Sequence, residues 1–102
     1  CMSEKEIELK FREAVERAGG CAYKFISPGT AGMPDRIVVL PGGHIGFVEL
    51  KALGRGPRPL QRLRMRELNR RGCSVHVLNN PKDIPVVLAA IREHQPVKEA
   101  QT

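Results

Sequence analysis

Asp35 and Glu49 are the acids of this chain whose setting could support chemistry, and Lys51 is the amine that accompanies them. Asp35 stands in Met33-Pro34-Asp35-Arg36, and fourteen residues after Asp35 comes Glu49-Leu50-Lys51. Between them lie Ile37-Val38-Val39-Leu40, a turn at Pro41-Gly42-Gly43, and Ile45-Gly46-Phe47-Val48. Two apolar runs joined by a Pro/Gly turn have the pattern of a β-hairpin. Side chains alternate faces along a strand, so Glu49 and Lys51 project on the same side, roughly 6–7 Å apart at the backbone. In-register pairing brings Asp35, at the start of the partner strand, close to Glu49. Like charges at short range raise a carboxylate's pKa unless a cation sits between them. The arrangement reads as a divalent-metal site with an adjacent lysine. A plainer reading leaves Asp35 at the end of a loop and Glu49 and Lys51 solvated on an edge strand. The run Phe47-Val48-Glu49-Leu50-Lys51-Ala52 weighs for the first, because it carries its charges inside an apolar segment, as buried sites do.

The elements that must position these groups follow from local patterns. Ser3-Glu4-Lys5-Glu6 has the spacing of a capping box, with Ser3 as N-cap and Glu6 reaching back. Ile7, Phe11, Ala14, Val15 and Ala18 then share a helical stripe, which Gly19-Gly20 ends. Glu8 lies at the edge of that stripe, and Glu4 falls within it at the helix start, where a carboxylate suits the helix dipole. An acid bordering the buried face can reach a site at the helix–sheet junction; the alternative is a boundary glutamate snorkelling to water. Cys21–Ile26 predicts a strand. Ser27-Pro28-Gly29-Thr30-Ala31-Gly32 is a turn-rich loop whose glycines and hydroxyls could approach a phosphate, without the Gly-Lys-Ser/Thr ending of a P-loop. Tyr23 and Lys24 are open to either a polynucleotide contact or plain packing and solvation.

Beyond Lys51, residues 52–59 form a basic, flexible linker that crosses the mouth of the site. Pro59 suits the first turn of a helix over Leu60–Arg71. Leu60, Leu63 and Leu68 mark its buried face, Met65 its margin, and Gln61 points toward the sheet near its N-terminal end. Arg62, Arg66 and Arg70, spaced by four, share the outer face. Ser74–Leu78 predicts a fourth strand, with His76 a strand-face histidine rather than a metal ligand. Asp83 caps a last helix through Ile84, Val87, Leu88 and Ile91. A helix between the third and fourth strands implies a parallel or mixed sheet covered by helices, a compact α/β sandwich.

At 102 residues the chain accommodates one domain with one modest core, read as residues 1–93 with a polar, frayed tail at 94–102. Without an apolar run of membrane-spanning length or a signal-peptide pattern, the expectation is a soluble, intracellular protein. Three cysteines without a Cys-x-x-Cys spacing argue for reduced thiols and against a disulfide scaffold or structural zinc. Residues 55–71 hold seven arginines against the single acid Glu67, which matches the whole net charge of +6. Such a stripe is the electrostatic footprint of a polyanion partner; its plain alternative is a solvated helix face.

The order of a helix bearing a glutamate, then Pro-Asp, then Glu-x-Lys, then a helix beginning near a glutamine resembles the PD-(D/E)xK nuclease superfamily. That resemblance implies a restriction-endonuclease-like fold, a mixed four-stranded sheet flanked by helices. More narrowly, Gly32-Met33-Pro34-Asp35-Arg36, Phe47-Val48-Glu49-Leu50-Lys51 and Gln61, within residues 4–80, are similar to the virus-type replication-repair nuclease (VRR-NUC) domain in its small stand-alone form. The resemblance implies that Asp35 and Glu49 are metal ligands, joined by the backbone carbonyl of Leu50. It makes Lys51 the catalytic lysine and Gln61 an orienting residue, and it assigns Glu8 to the metal site with Glu4 as competitor.

It further implies Mg²⁺- or Mn²⁺-dependent hydrolysis of DNA phosphodiester bonds, structure-selective on branched DNA in the manner of Holliday-junction resolvases. It implies a homodimer, acting in DNA repair in the cytoplasm of a bacterium or a phage-infected host. Arg55, Arg58, Arg62, Arg66 and Arg70, with Lys24 and Ser27, are then the candidate contacts to nucleic acid. Two rivals are a non-catalytic nucleic-acid-binding module that keeps the Arg55–Arg71 segment, and an interaction protein whose arginine helix docks an acidic partner.

Overall fold

The computed structural model describes residues 2–96. The elements run α1 (Glu4–Arg17), β1 (Cys21–Lys24), β2 (Arg36–Leu40), β3 (His44–Leu50), α2 (Pro59–Arg70), β4 (Ser74–Leu78) and α3 (Ile84–Glu93), with a 3₁₀ turn at Pro81–Asp83. Most of the tail expected at 94–102 lies outside the described residues; at its start, His94 Nε2 donates to the Gly72 carbonyl at 2.7 Å. The strands form one mixed sheet in the order β1-β2-β3-β4. The first three are antiparallel and β4 runs parallel to β3, which requires the crossover that α2 supplies.

Alternation sorts the sheet into two faces. Val38, Leu40, Val48, Leu50 and Leu78 are buried beneath Ile7, Phe11 and Val15 of α1 and Ile84, Val87, Leu88 and Ile91 of α3. Burying each such side chain is worth about 1.5–3 kcal/mol, so this layer is what holds the sheet flat against its helices. Gly46 lets α3 come close: a Cβ there would meet Ile91 Cγ1 at 2.6 Å. Glu49 and Lys51 take the opposite face, the one α2 covers.

Local chemistry sets the ends of the elements. In α1, Ser3 Oγ accepts from Glu6 N at 3.2 Å, and Glu6 Oε1 accepts from Ser3 N at 3.4 Å, the capping box expected there. Pro59 begins α2. Asp83 makes no cap bond to α3. Instead Asn80 Oδ1 accepts from Lys82 N at 3.1 Å, capping the 3₁₀ turn that runs straight into α3. Strand β1 stops at Lys24, short of the expected Ile26.

Two further expectations are corrected. The buried face of α2 is Gln61 and Met65, while Leu60 and Leu63 are 41% and 37% exposed. The helix is turned so that Gln61 reaches Glu49, and Leu60 lies against the Gly32 loop instead of the sheet. The segment after Lys51 is not a free linker either. Leu53 N donates to the Met2 carbonyl and Gly54 N to the Asn79 carbonyl, both at 3.1 Å. Asn79 Nδ2 donates to the Arg55 carbonyl at 2.7 Å. Partners from both neighbouring segments satisfy its backbone groups and fix its course.

Candidate active site

The hairpin pairs Arg36 with Val48 and Leu40 with His44. One step beyond that register stand Asp35 and Glu49. Asp35 Oδ1 accepts from Leu50 N at 3.3 Å. The Asp35 carbonyl accepts from Phe25 N and from Arg36 Nη1, each at 2.9 Å. Pro34, fully buried, holds the approach to it.

Glu49 is 3% exposed. Its Oε2 accepts from Gln61 Nε2 at 2.8 Å and lies 3.4 Å from Lys51 Nζ. Its Oε1 is buried with no hydrogen-bond partner among the described residues. Lys51 is itself pinned to the sheet, its N–H donating to the Leu78 carbonyl at 3.0 Å.

The electrostatics follow from this packing. Burial pushes the Asp35 carboxyl above its ordinary range, against the pull of the Leu50 amide and the Arg36 charge. Burial also pushes Glu49 up, and the Asp35 charge adds to it, against the pull of Lys51. Glu4 raises both. Two acids held together above their usual range, one with an orphaned buried oxygen, form a site that a cation would relieve. Oxygen donors of this kind suit a hard divalent ion such as Mg²⁺ or Mn²⁺, which binds through one or two carboxylates and keeps several waters. Among the described residues no three His, Cys, Asp or Glu side chains converge to hold a metal. Backbone oxygens, water or substrate could complete the coordination of such an ion.

The structure gathers Asp35, Glu49, Lys51 and Gln61, with Leu50 between them, and leaves Glu8 outside. Glu8 Oε1 lies 3.6 Å from Arg36 Nη2, lining a groove with Glu4, Lys5, Arg12, Ala22, Lys24 and Arg36. Arg36 holds it there while bonding the Asp35 carbonyl. Glu4, one turn earlier, is the α1 acid whose charge reaches both site carboxylates. His76 sits in β4 with Nε2 2.7 Å from Ser74 Oγ, away from this cluster.

The basic segment divides. Arg55, Arg58, Arg62, Arg66 and Arg70 are exposed. Arg62 Nε donates to the Pro57 carbonyl at 3.0 Å, and Arg58 N to Gln61 Oε1 at 2.8 Å. Lys24 is exposed at the end of β1, while Ser27 is half-buried in the loop. Sequence reasoning missed two arginines. Arg36 bonds the backbone of Asp35, and Arg64 Nε donates to the Ala31 carbonyl at 2.9 Å. The signal for Arg64 was its place off the four-residue spacing of the outer stripe.

No family model matches the chain. It is 44% identical over 88 residues to the protein named "Putative nuclease p44" of Acyrthosiphon pisum secondary endosymbiont phage 1, covering 86% of this chain and 94% of that protein. A solved structure described as a VRR_NUC domain superposes with a TM-score of 0.78 at 29% identity, covering 93% of this chain and 100% of its own. The chain belongs to the VRR-NUC family. A VRR-NUC domain is a nuclease domain of restriction-endonuclease-like fold, and the mixed four-stranded sheet with its flanking helices agrees with it. Among the described residues no helix is long and apolar enough to cross a membrane.

Proposed function

We propose that this VRR-NUC protein is a metal-dependent DNA endonuclease whose reaction centre is Asp35, Glu49 and Lys51. The observation that carries the reading is the buried, unpartnered Oε1 of Glu49 beside a second carboxylate raised by the same burial. Asp35, Glu49 and the Leu50 carbonyl would hold Mg²⁺ or Mn²⁺. When bound, that ion supplies positive charge against the scissile phosphate and acidifies water. Lys51 aligns water or neutralises charge gathering on the phosphate from its fixed place on the sheet. Loss of one such electrostatic group costs about 3–4 kcal/mol of barrier, on the order of 10²–10³ in rate. Gln61 holds Glu49 through Oε2, which would leave Oε1 available to an ion. Arg55, Arg58, Arg62, Arg66 and Arg70, with Lys24 and Ser27, grip the polynucleotide backbone.

The finer reading is structure-selective cleavage of branched DNA by a two-fold homodimer, in the manner of a Holliday-junction resolvase. Its support is the family resemblance together with a phage relative named as a nuclease, which also fits action in an infected bacterial cytoplasm. Two symmetric cuts suit a two-fold pair of sites.

The deciding experiment incubates labelled four-way junctions, flaps and linear duplexes with wild type, Lys51→Ala and Asp35→Ala, with Mg²⁺ or Mn²⁺. Wild type should cut and prefer the branched forms, while both variants fold, bind and fail to cut. Equal cleavage by all three would refute the site, and equal cleavage of every substrate would refute the selectivity.

A further inference from the structure

Arg64 lies two residues from Arg62, which on a helix places it nearly opposite the stripe of Arg62, Arg66 and Arg70. Its side chain is 24% exposed, and two of its guanidinium nitrogens are engaged. Nε donates to the Ala31 carbonyl at 2.9 Å, and Nη1 meets Glu67 Oε1 at 3.0 Å. One residue along the same loop, Gly32 adopts φ +85° and fits directly against α2. A Cβ there would lie 2.8 Å from Leu60 Cγ and 3.0 Å from the Leu60 carbonyl oxygen. Loop and helix are thus joined twice, by the bond from Arg64 Nε to the Ala31 carbonyl, with Glu67 of the same helix steadying the guanidinium, and by a contact only glycine allows. From that junction the chain needs Met33 and the buried Pro34 to reach Asp35.

We propose that Arg64 is a positioning residue for Asp35, set apart by its contacts from the arginines that grip nucleic acid. Helix α2 then places both acids: Gln61 holds Glu49, and Arg64 with Gly32 holds the loop that delivers Asp35. The inference rests on the reading of Asp35 as a metal ligand. Groups that orient a ligand typically cost 10–100-fold in metal affinity when removed, and a loop freed by a missing clasp loses the same preorganisation.

The test uses the full chain as wild type, Arg64→Ala, Arg64→Lys, Gly32→Ala and, as a phosphate-contact control, Arg66→Ala. Three quantities are measured: Mn²⁺ affinity by calorimetry, the salt dependence of binding to a labelled four-way junction, and hydrogen exchange of the Gly32, Met33 and Asp35 amides. Arg64→Ala should speed that exchange, weaken Mn²⁺ by about tenfold or more, lower kcat with KM unchanged, and leave the salt slope alone. Gly32→Ala should reproduce this pattern, and Arg64→Lys, which can keep one acceptor at a time, should fall between. Arg66→Ala should reduce the salt slope by about 1 and leave metal and loop untouched. The proposal is overturned if Arg64→Ala behaves like Arg66→Ala, or if it leaves loop exchange and Mn²⁺ affinity at wild-type values. If wild type itself binds no Mn²⁺, the metal reading of Asp35 falls and takes this role with it, while accelerated loop exchange would still mark Arg64 as a purely structural clasp.

Discussion

Gln61 joins Arg58 to Glu49 through the two ends of one side chain. Its Oε1 accepts from Arg58 N and its Nε2 donates to Glu49 Oε2, both at 2.8 Å. The residue that closes the first turn of α2 is therefore the residue that fixes a site acid, so the helix start and the site are one structural unit. At 6% exposure neither bond has water as a ready substitute, and the energetic weight of Gln61 is correspondingly large.

Replacing Gln61 tests that coupling. Gln61→Ala strands the Arg58 N–H and leaves Glu49 with Lys51 alone, a loss of about 1–3 kcal/mol. In a domain of this size each kcal/mol lowers the melting midpoint by about 4–8 °C. Gln61→Glu keeps an acceptor for Arg58 but sets a second negative charge against Glu49 Oε2. It should be the less stable of the two at mildly alkaline pH and recover as acid restores a donor proton. Urea denaturation at two pH values checks the order; a Gln61→Glu variant as stable as wild type throughout would disprove the coupling.

Asp35→Asn should separate stability from activity. The amide oxygen can still accept from Leu50 N, while the charge that raises Glu49 disappears. Metal-free protein should gain on the order of 1 kcal/mol, the scale at which relief of a functional site stabilises a domain. Stabilisation by Mg²⁺ should vanish with the charge. Thermal melts with and without Mg²⁺ measure both effects, and an unchanged Mg²⁺ response would remove Asp35 from the metal site.

The parts of this arrangement that were readable in the sequence are those governed by local geometry. The period of two along β2 and β3, with a Pro/Gly turn between, is enough to bring Asp35 to Glu49 and to set Lys51 on the same face. The face of α2 was readable only in part: the helical pattern points Gln61 toward the sheet, but it does not foretell the exposure of Leu60 and Leu63. Leu60 and Leu63 outrank Gln61 in hydrophobicity, and only the partner Glu49, on another element, makes burial of the glutamine favourable. The choice between Glu8 and Glu4 turns on where α1 crosses the sheet and on the reach of Arg36, neither of which has a periodic signature. Gly, Pro and Arg in the segment after Lys51 have the composition of a loose linker. Its order comes from Met2 and Asn79, groups remote in sequence.

The raised pKa values of Asp35 and Glu49 set a pH dependence with a definite sign. A carboxyl whose folded pKa exceeds its unfolded value binds its proton more tightly in the folded chain. The stability it contributes is fully present below the unfolded pKa and is lost as pH rises through the folded one. Metal-free protein should therefore lose stability from the ordinary carboxylate range upward, levelling off above the raised values. Mg²⁺ or Mn²⁺ needs the ionised pair, so its stabilising effect should appear across that same window and grow with pH. Melting midpoints from acid to neutral pH, with and without metal, follow both trends, and the difference from Asp35→Asn isolates the pair from the other acids. A metal effect independent of pH across that range would contradict the assignment.

Arg62 and Arg66 are exposed one helical turn apart on α2, a spacing that lets both meet phosphates of one strand. Neither is ion-paired among the described residues, so each is available to replace a counterion. Every phosphate neutralised contributes about −0.9 to the slope of log K against log salt on duplex DNA. Removing both side chains in Arg62→Ala/Arg66→Ala should flatten that slope by about 2 and weaken binding most at low salt. Melting should stay close to wild type, since the single backbone bond lost from Arg62 Nε to the Pro57 carbonyl is exposed. Fluorescence anisotropy on labelled junction DNA at several salt concentrations reads the slope directly. A double variant that binds more weakly with the slope intact would show that these arginines act through shape or packing, and the polyanion contact would then have to lie on another face of the domain.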